Sequence, residues 1–397
     1  MPFNGKEVST LNGERNLFNL IRSMGGEDPQ AAAILAPGFP SLSWRELTRF
    51  VAETTAGLSA LEVQRGNRVA LVLPNGPRAA TAFLAISNIA TAAPLNPSYS
   101  LSEFEFYLSD LHASALVMEQ DSDNPARHAA GQLGIPVLDI LPLPGAPAGT
   151  FTFVNGKKPL RSCDLSQEQD VALVLHTSGT TSRPKIVPLT HANLRASAIN
   201  ISHSLGLTAR DRCLNIMPLF HIHGLMAAVV GSLVSGGSVI CTGGMNPSEI
   251  LNWLITFEPT WLTAVPTMLQ ALLTEATNNP GKMSQLNLRF IRACSSALSP
   301  VVAQKLEDTF HIPVLEAYGM TEASHQIAVN PQSPACHKFG SVGIAYGDEV
   351  AILDAGGEIL PANTPGEISI RGANVMGGYE ANPTANQAAF SNGWLRT

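Results

Sequence analysis

The stretch LHTSGTTSRPKIVPLTHAN (Leu175–Asn193) decides how the rest of the sequence is interpreted. It follows the apolar run Val171–Leu175, which predicts a buried strand, and then places several hydroxyls and one lysine on a short loop. A nucleotide-hydrolase phosphate loop has the pattern GxxxxGK[ST]. Counted from Gly179, this chain has Pro184 at the second glycine position and Ile186 at the hydroxyl position. Proline offers no N–H to phosphate and isoleucine no hydroxyl to magnesium, so the sequence excludes that class of loop.

The residues that remain still suit a polyphosphate ligand. Gly179 allows a tight turn and a close approach of the backbone to a ligand. Lys185 is a mobile positive charge that can reach outer phosphates. Neutral hydroxyl donors lie around them at Thr177, Ser178, Thr180 and Thr181. A surface Ser/Thr turn is the plainer alternative, but the preceding strand and the following Pro-Lys pair favour a phosphate-binding loop.

Length and composition narrow the class of protein. The chain has 397 residues, of which 45% are hydrophobic and 14% charged, and this indicates two or three structural units with a large core. The net charge of -7 and the lack of a basic run argue against nucleic acid as a partner. Five widely spaced cysteines without a CxxC pair favour a reducing compartment and argue against a structural zinc site.

Targeting and membrane signals are weak in this sequence. The start, MPFNGKEVST, lacks the apolar core of a secretory signal. The uncharged stretch Gly224–Ile240 is slightly short for a membrane span and is diluted by glycine and serine, so we expect a buried helix running into a strand. We therefore expect no integral membrane segment and a cytoplasmic location, with the peroxisome as the alternative in a eukaryote.

Strand-like and helix-like segments alternate along most of the chain. NRVALVLPN (Asn67–Asn75) predicts a strand and the Ala-rich segment after it a helix, and this alternation predicts mostly parallel sheets covered on both faces. The segments EVAILDAGGEILP and GEISIRG alternate in the manner of antiparallel strands. We predict an α/β fold with two stacked α/β subdomains and a small β-rich subdomain, spanning residues 1–165, 166–335 and 336–397.

HTSGTTSRPK resembles the signature TSGTTGxPKG of the adenylate-forming superfamily, which includes acyl-CoA synthetases, peptide-synthetase adenylation domains and firefly-type luciferases. This chain has Ser182 and Ile186 where the signature has glycine. The serine form is similar to the oxalate–CoA ligase branch. The resemblance implies that the Thr177–Thr181 loop and Lys185 hold the β- and γ-phosphates of ATP.

A second motif follows in the expected order. YGMTEAS (Tyr318–Ser324) is similar to the family's YGxTE. A tyrosine ring can stack near a base, Thr321 offers a hydroxyl near phosphate, and Glu322 offers a hard oxygen ligand for Mg²⁺. The resemblance implies these roles and makes Lys185, Thr321 and Glu322 the candidate catalytic residues.

Two further segments resemble the walls of the family's adenine and acyl pockets. CSSALSP (Cys294–Pro300) stands where the family has a Gly-Ala-rich turn, and PLFHIHGL (Pro218–Leu225) resembles the motif beside the acyl site. The resemblance implies nucleotide contacts at Ser295, Ser296, Ala297, Glu316 and Ala317. It also implies contacts with the acid at His221, Ser296 and His325.

The histidines of PLFHIHGL have other interpretations. His221 and His223 would share one face if the segment were a strand. A metal pair is conceivable, but the nearby sequence has no matching Cys or carboxylate cluster. Pocket lining is therefore favoured over a structural role, and both are favoured over metal binding. For His325 a plain structural role is as well supported as a place in the pocket.

The likeness covers nearly the whole chain and predicts an ATP-dependent acid–CoA ligase that uses ATP, Mg²⁺ and CoA on a small carboxylic acid. The oxalate-branch features favour a short dicarboxylate such as oxalate, and a medium-chain or aromatic acid is the alternative. A carrier-protein-loading adenylation domain and a non-catalytic nucleotide-binding module also stay open. The sequence does not predict an oligomeric state.

Proteins of this superfamily continue after W-x-R-T with Gly-Asp and a mobile C-terminal domain that carries a further lysine used in adenylation. Here Thr397 follows Arg396 and ends the sequence. We therefore expect the C-terminal domain to be absent and the chain by itself to be nearly inactive in adenylation.

Overall fold

The structure is a computed structural model that describes residues 16–156, 163–177, 183–332 and 337–397. Four predicted phosphate-loop residues lie outside the described residues, namely Ser178, Gly179, Thr180 and Thr181. Ser182 and Cys336 lie outside them as well. Thr177 and Lys185, which flank the loop, are described.

Helices and strands alternate through most of the described chain. The helices are α1 (Leu17–Met24), α2 (Trp44–Ala60), α3 (Pro77–Ser87), α4 (Leu101–Asp110), α5 (Pro125–Leu133), α6 (His191–Ser204), α7 (Gly231–Val234), α8 (Pro247–Phe257), α9 (Pro266–Asn278), α10 (Pro300–Phe310) and α11 (Pro383–Ala389). A π-helix spans His223–Val230, and 3₁₀-helices span Pro280–Gln285 and Thr321–Ala323. The strands are β1 (Ala32–Leu35), β2 (Leu42–Ser43), β3 (Arg68–Val72), β4 (Thr91–Pro94), β5 (Ala115–Glu119), β6 (Val137–Pro142), β7 (Phe151–Phe153), β8 (Val171–Thr177), β9 (Lys185–Thr190), β10 (Arg212–Asn215), β11 (Ser238–Cys241), β12 (Trp261–Ala264), β13 (Phe290–Ala293), β14 (Val314–Met320), β15 (His325–Val329), β16 (Ile344–Ala345), β17 (Glu349–Leu353), β18 (Glu367–Arg371), β19 (Phe390–Ser391) and β20 (Trp394–Arg396).

These strands form two large sheets and one small sheet. The strand orders are β7-β6-β5-β3-β4-β8-β9, β16-β15-β14-β13-β12-β10-β11-β1-β2 and β17-β18-β20-β19. The central pairs of both large sheets are parallel, whereas outer pairs such as β6–β7 and β14–β15 are antiparallel. The small sheet is antiparallel at every pairing between its strands. The predicted α/β fold with mostly parallel sheets and a β-rich end is confirmed.

The two large sheets do not follow the order of the chain. β1 and β2 come from the N-terminal part but join the nine-stranded sheet, where β1 lies beside β11. β8 and β9 come after residue 166 but join the seven-stranded sheet, where β8 lies beside β4. The predicted division between residues 165 and 166 therefore stays a prediction, and both sheets contain strands from both sides of it.

The opening stretch forms a hairpin and then a helix. β8 and β9 pair antiparallel, and α6 begins with a capping box in which Thr190 Oγ1 accepts from Asn193 N at 3.2 Å and Asn193 Oδ1 accepts from Thr190 N at 3.0 Å. Leu194, Ala198 and Ile201 lie on one face of α6 and are fully buried. Burying a side chain the size of leucine stabilises a fold by about 1.5–3 kcal/mol, so this face fixes the helix and, with it, the end of β9.

The uncharged stretch is a buried helix followed by a strand, as predicted. The π-helix continues into α7, the chain then enters β11, and all three elements are buried except at isolated positions between them. No helix in the described part of the chain is long and apolar enough to cross a membrane. Short π-helical segments are frequent at functional sites, and His223 is the first residue of this one.

PLFHIHGL is not a strand, so the condition under which His221 and His223 would share one face is not met. β10 ends at Asn215, and the chain reaches the π-helix through irregular backbone at His221. β10 lies between β11 and β12 inside the sheet. Proline cannot donate a ladder hydrogen bond in such a central strand, so Pro218 is incompatible with a longer β10.

Candidate active site

β8 and β9 pair antiparallel on either side of the hydroxyl-rich segment. Thr177 and Lys185 are the last residues to pair before it, so they lie side by side on neighbouring strands. Both are partly buried. The hairpin forms the outer edge of the seven-stranded sheet. The prediction of a strand leading into the loop is confirmed, and Lys185 is held on a strand rather than on free loop backbone.

Lys185 and Glu322 meet at one tyrosine ring. Lys185 Nζ lies 4.5 Å from the centroid of the Tyr379 ring, a cation–π contact. The Tyr379 hydroxyl donates to Glu322 Oε1 at 2.7 Å. Burial and the hydrogen bond to Glu322 raise the pKa of Tyr379, so its hydroxyl stays protonated and continues to donate. The predicted phosphate-binding cation and the predicted magnesium ligand therefore contact the same aromatic side chain.

Tyr379 is not among the site residues predicted from the sequence, although the Gly-Gly before it is a usable signal. Gly378 has φ +142°, and a Cβ there would lie 3.1 Å from Asn386 Oδ1. Asn386 fixes the tyrosine backbone, because it accepts from Tyr379 N at 2.7 Å and donates to Tyr379 O at 2.8 Å. Glu380 N donates to Ile186 O and docks the segment against β9. The Gly-Gly run thus allows the turn that brings the ring to Lys185.

The YGMTEASH segment makes a strained turn between β14 and β15. Ser324 and His325 have φ values of +50° and +102°, and such backbone costs on the order of 1–3 kcal/mol per residue. At Gly319 a Cβ would overlap the carbonyl oxygen of His325, so only glycine fits. The turn is held from outside, since Ser197 Oγ donates to Ser324 O at 2.6 Å and Met376 N donates to Glu322 O at 2.8 Å.

Asn374 ties the same turn to the β-rich end of the chain. Its Nδ2 lies 3.0 Å from Ala323 O, 3.2 Å from Gln326 O and 2.9 Å from Asp348 Oδ2. Burial raises the pKa of Asp348 to about 6, and the hydrogen bond from Asn374 only partly opposes this. In the folded protein the Asp348 carboxyl is therefore mostly neutral below about pH 6 and mostly ionised above it.

This shift predicts how stability depends on pH. Between about pH 4 and pH 6 the unfolded chain loses the Asp348 proton while the folded chain keeps it, so this group destabilises the fold as the pH rises through that window. We expect Asp348→Asn to stabilise the protein relative to the native chain at pH 7 and to lose that advantage at pH 4. Urea unfolding across this range measures the difference. The exposed Asp121→Asn is the matched control, and a pH-independent difference for Asp348→Asn would contradict the assignment.

The predicted adenine-side residues lie at the carboxyl ends of neighbouring strands. The turn after β13, Cys294–Ala297, is called the CSSA turn. Because β13 and β14 are parallel neighbours, this turn and the end of β14 lie on the same carboxyl-terminal side of the sheet. Ser295, Ser296 and Ala297 are exposed there. Glu316 Oε1 accepts from Gly340 N at 2.7 Å, and burial raises the pKa of Glu316 against the effect of this bond.

The other two nucleotide-side candidates follow on β14. Ala317 is buried, and Tyr318 is only partly buried. Tyr318 therefore keeps part of its ring accessible at the sheet edge. Thr321, one turn further, is also partly buried, next to Glu322, which is 6% exposed. This run places an aromatic face, a hydroxyl and a carboxylate in sequence along the edge.

The histidines are arranged differently from the prediction. His223 Nδ1 lies 3.0 Å from Ser295 Oγ, and the His325 ring stacks on His223 with centroids 4.9 Å apart. Burial, followed by the charge of Arg292, lowers the pKa of both histidines well below the usual value, so both are neutral at pH 7. His221 is exposed, and its ring packs on Phe220. Thus His223 contacts the CSSA turn, His325 stacks on His223, and His221 makes no hydrogen bond to the turn.

The donor set fits magnesium better than a structural metal. No group of three His, Cys, Asp or Glu side chains that could hold a metal ion occurs among the residues placed by the structure. Glu322 would be a single carboxylate ligand. Mg²⁺ commonly binds one or two carboxylates and keeps waters and phosphate oxygens as its other ligands. The site therefore suits Mg²⁺ carried on a polyphosphate.

The chain is similar to one enzyme family over most of its length. The AMP-binding enzyme family matches residues 24–380. A protein named as a probable CoA ligase from Humulus lupulus is 41% identical over 390 residues, which cover 96% of this chain and 74% of that protein. Oxalate–CoA ligase from Arabidopsis thaliana is 39% identical over 388 residues, which cover 96% of this chain and 75% of that protein.

Solved structures match over the same extent. O-succinylbenzoate coenzyme A synthetase from Bacillus subtilis, in complex with ATP and magnesium ion, superposes with a TM-score of 0.81 at 27% sequence identity. The match covers 96% of this chain and 76% of that one. The chain spans about three quarters of the length of these relatives.

Proposed function

The chain belongs to the AMP-binding enzyme family, and on that basis we propose that it activates a short dicarboxylic acid, such as oxalate, for transfer to CoA. Its activity is that of an acid–CoA ligase that uses ATP and Mg²⁺. The short diacid is the finer part of the proposal. It is supported by the likeness to oxalate–CoA ligase and by the exposed hydroxyl-bearing residues Ser295 and Ser296 of the CSSA turn.

The reaction proceeds in two displacements. A carboxylate oxygen of the acid attacks the α-phosphorus of ATP, the bond to the bridging oxygen breaks, and pyrophosphate leaves with the electron pair. The CoA thiolate then attacks the acyl carbon of the adenylate, and AMP leaves. In the first step the protein acts by positioning the reactants and by neutralising charge.

The described residues divide this work between three places. Lys185 holds the outer phosphates, and Tyr318 lies beside the adenine. Thr321 supplies a hydroxyl next to the phosphates. Mg²⁺ held at Glu322 would supply charge stabilisation for the phosphate oxygens. The acid lies against the CSSA turn, with Ser296 and His325 as its proposed contacts and His221 at the outer wall.

One observation carries the proposal, namely that Lys185 and Glu322 converge on Tyr379. These groups come from a hairpin, a strained turn and the segment after β18. A purely structural contact between these segments does not need a cation on the ring of a phenol whose hydroxyl donates to a carboxylate. A magnesium–polyphosphate ligand does require a cation and a carboxylate at one place.

A panel of acids tests the substrate class. We expect oxalate and malonate to bind this chain in the presence of AMP, in preference to octanoate and benzoate. In a version that carries a C-terminal domain, we expect them to support pyrophosphate exchange and thioester formation with the same preference. A preference for octanoate or benzoate contradicts the short-diacid proposal. Discharge of the adenylate by a pantetheinylated carrier protein but not by CoA would instead indicate a carrier-loading enzyme. ATP binding without exchange for any acid, in the version that carries a C-terminal domain, would indicate a nucleotide-binding module.

A further inference from the structure

Arg292 is a buried cation without an acidic partner in the part of the chain that the structure describes. It lies on β13 and is 0% exposed. Its Nη1 donates to Thr263 Oγ1 at 3.2 Å and its Nη2 donates to Gln326 Oε1 at 3.1 Å, whereas its Nε has no hydrogen-bond partner. A buried charge without a counter-ion is costly. Arg292 lies near the end of β13, directly before the CSSA turn. This position suggests that the buried charge serves the site.

Arg292 favours one direction for the hydrogen bond between Thr263 and His223. A guanidinium group can only donate, so Thr263 Oγ1 uses one lone pair to accept from Arg292. The other contact of this hydroxyl is His223 Nε2 at 2.6 Å. The hydroxyl has one proton and no other described acceptor, so Thr263 donates that proton to His223 Nε2.

The hydrogen bond from His223 to Ser295 continues in the same direction, toward the surface. The ring is neutral, because it is buried and lies near the charge of Arg292. With Nε2 accepting, the single ring proton lies on Nδ1. Nδ1–H then donates to Ser295 Oγ at 3.0 Å. The proton of the Ser295 hydroxyl is left to point away from His223, and Ser295 is exposed.

We propose that Arg292 is a positioning residue for the acid substrate: through Thr263 and His223 it orients the hydrogen bonds so that Ser295 presents its hydroxyl proton to a carboxylate oxygen. The identity of this anion rests on the proposed function. The reverse orientation would leave Ser295 donating inward and presenting lone pairs to the site. A carboxylate accepts hydrogen bonds only, so it would bind the first arrangement and be repelled by the second.

The tautomer of His223 tests the orientation directly. In ¹⁵N-histidine-labelled protein, long-range ¹H–¹⁵N spectra distinguish Nδ1–H from Nε2–H, and a His223→Gln variant identifies the signals. We expect Nδ1–H in the native chain and in Thr263→Ser, which keeps the hydroxyl. We expect Nε2–H to become populated in Thr263→Val and in Arg292→Met. An Nε2–H or doubly protonated ring in the native chain at pH 7 overturns the proposal.

Calorimetry tests the link to the acid. We expect Thr263→Val to bind oxalate about tenfold more weakly, Thr263→Ser to bind it as the native chain does, and ATP binding to be unchanged in both. Oxalate binding unchanged in a folded Thr263→Val protein overturns the proposal, and so does a loss confined to ATP, since the hydroxyl would then serve the phosphate. If the native chain binds no short diacid, the proposed function fails, and the His223 tautomer still decides the orientation.

Discussion

Replacing Lys185 with alanine should weaken ATP binding by about ten- to a hundredfold and leave AMP binding nearly unchanged. Lys185 ends the hydroxyl-rich loop and is assigned to the outer phosphates, which AMP lacks. A hydrogen bond to a charged group contributes about 1.5–3 kcal/mol, and this sets the expected size. Calorimetric titration of the same protein with ATP, ADP and AMP measures the effect, and ADP should fall between the other two.

Lys305 provides the matched control for this substitution. It is exposed on α10, and its replacement by alanine changes the net charge by the same amount. Lys305→Ala should bind all three nucleotides as the native chain does. Lys185→Ala also removes the cation–π contact with Tyr379, so urea unfolding should accompany the titrations. An equal loss of affinity for ATP and AMP would refute the assignment to the outer phosphates.

Glu322→Gln should remove the magnesium dependence of ATP binding and lower the rate of adenylate formation by a factor on the order of a hundred or more. Charge stabilisation by a bound metal ion is worth several kcal/mol, and each 1.4 kcal/mol corresponds to a factor of ten. Glutamine keeps a side-chain oxygen that can accept from the Tyr379 hydroxyl, so the turn should stay folded. Titration of ATP with and without Mg²⁺ measures the first effect, and pyrophosphate exchange by a version that carries a C-terminal domain measures the second.

Tyr379→Phe separates the role of the carboxylate from that of its hydrogen-bond partner. This variant keeps the ring under Lys185 and removes only the hydroxyl that donates to Glu322 Oε1. Losing one hydrogen bond to a charged group costs about 1.5–3 kcal/mol, but the Glu322 carboxylate stays in place, so ATP binding should still depend on Mg²⁺. If Glu322→Gln keeps the magnesium response of the native chain, Glu322 is not the metal ligand.

The local features of the site could be predicted from the sequence because each depends on neighbouring residues. The apolar run before the hydroxyls predicts β8, and Pro184 with Ile186 excludes the hydrolase loop without any tertiary information. The resemblance adds Glu322 and the order of the motifs. Lys185 and Glu322 do lie around a common residue, although their roles toward ATP and Mg²⁺ stay predictions.

The contacts that depend on long-range docking could not be predicted in this way. Tyr379 reaches Lys185 only because Glu380 docks its segment on β9. The spacing of His221 and His223 gives them a shared face only on a strand, and Pro218 already argues against a strand there. The role proposed for Arg292 depends on its contacts with Thr263 and Gln326, which lie on other strands. A periodic pattern in one segment carries no information on which strand lies beside it.

The exchange of edge strands between the two large sheets makes the chain difficult to divide. A gene fusion or recombination event that broke the chain between residues 165 and 166 would leave the first piece without β8 and β9 and the second without β1 and β2. Each piece would then expose unpaired backbone groups at the side where the missing strands belong. A crossover in the connections that follow β9 keeps the seven-stranded sheet of one parent together but still separates β1 from β11. Functional shuffling between relatives is therefore expected to take β1, β2 and β11 from the same parent as well.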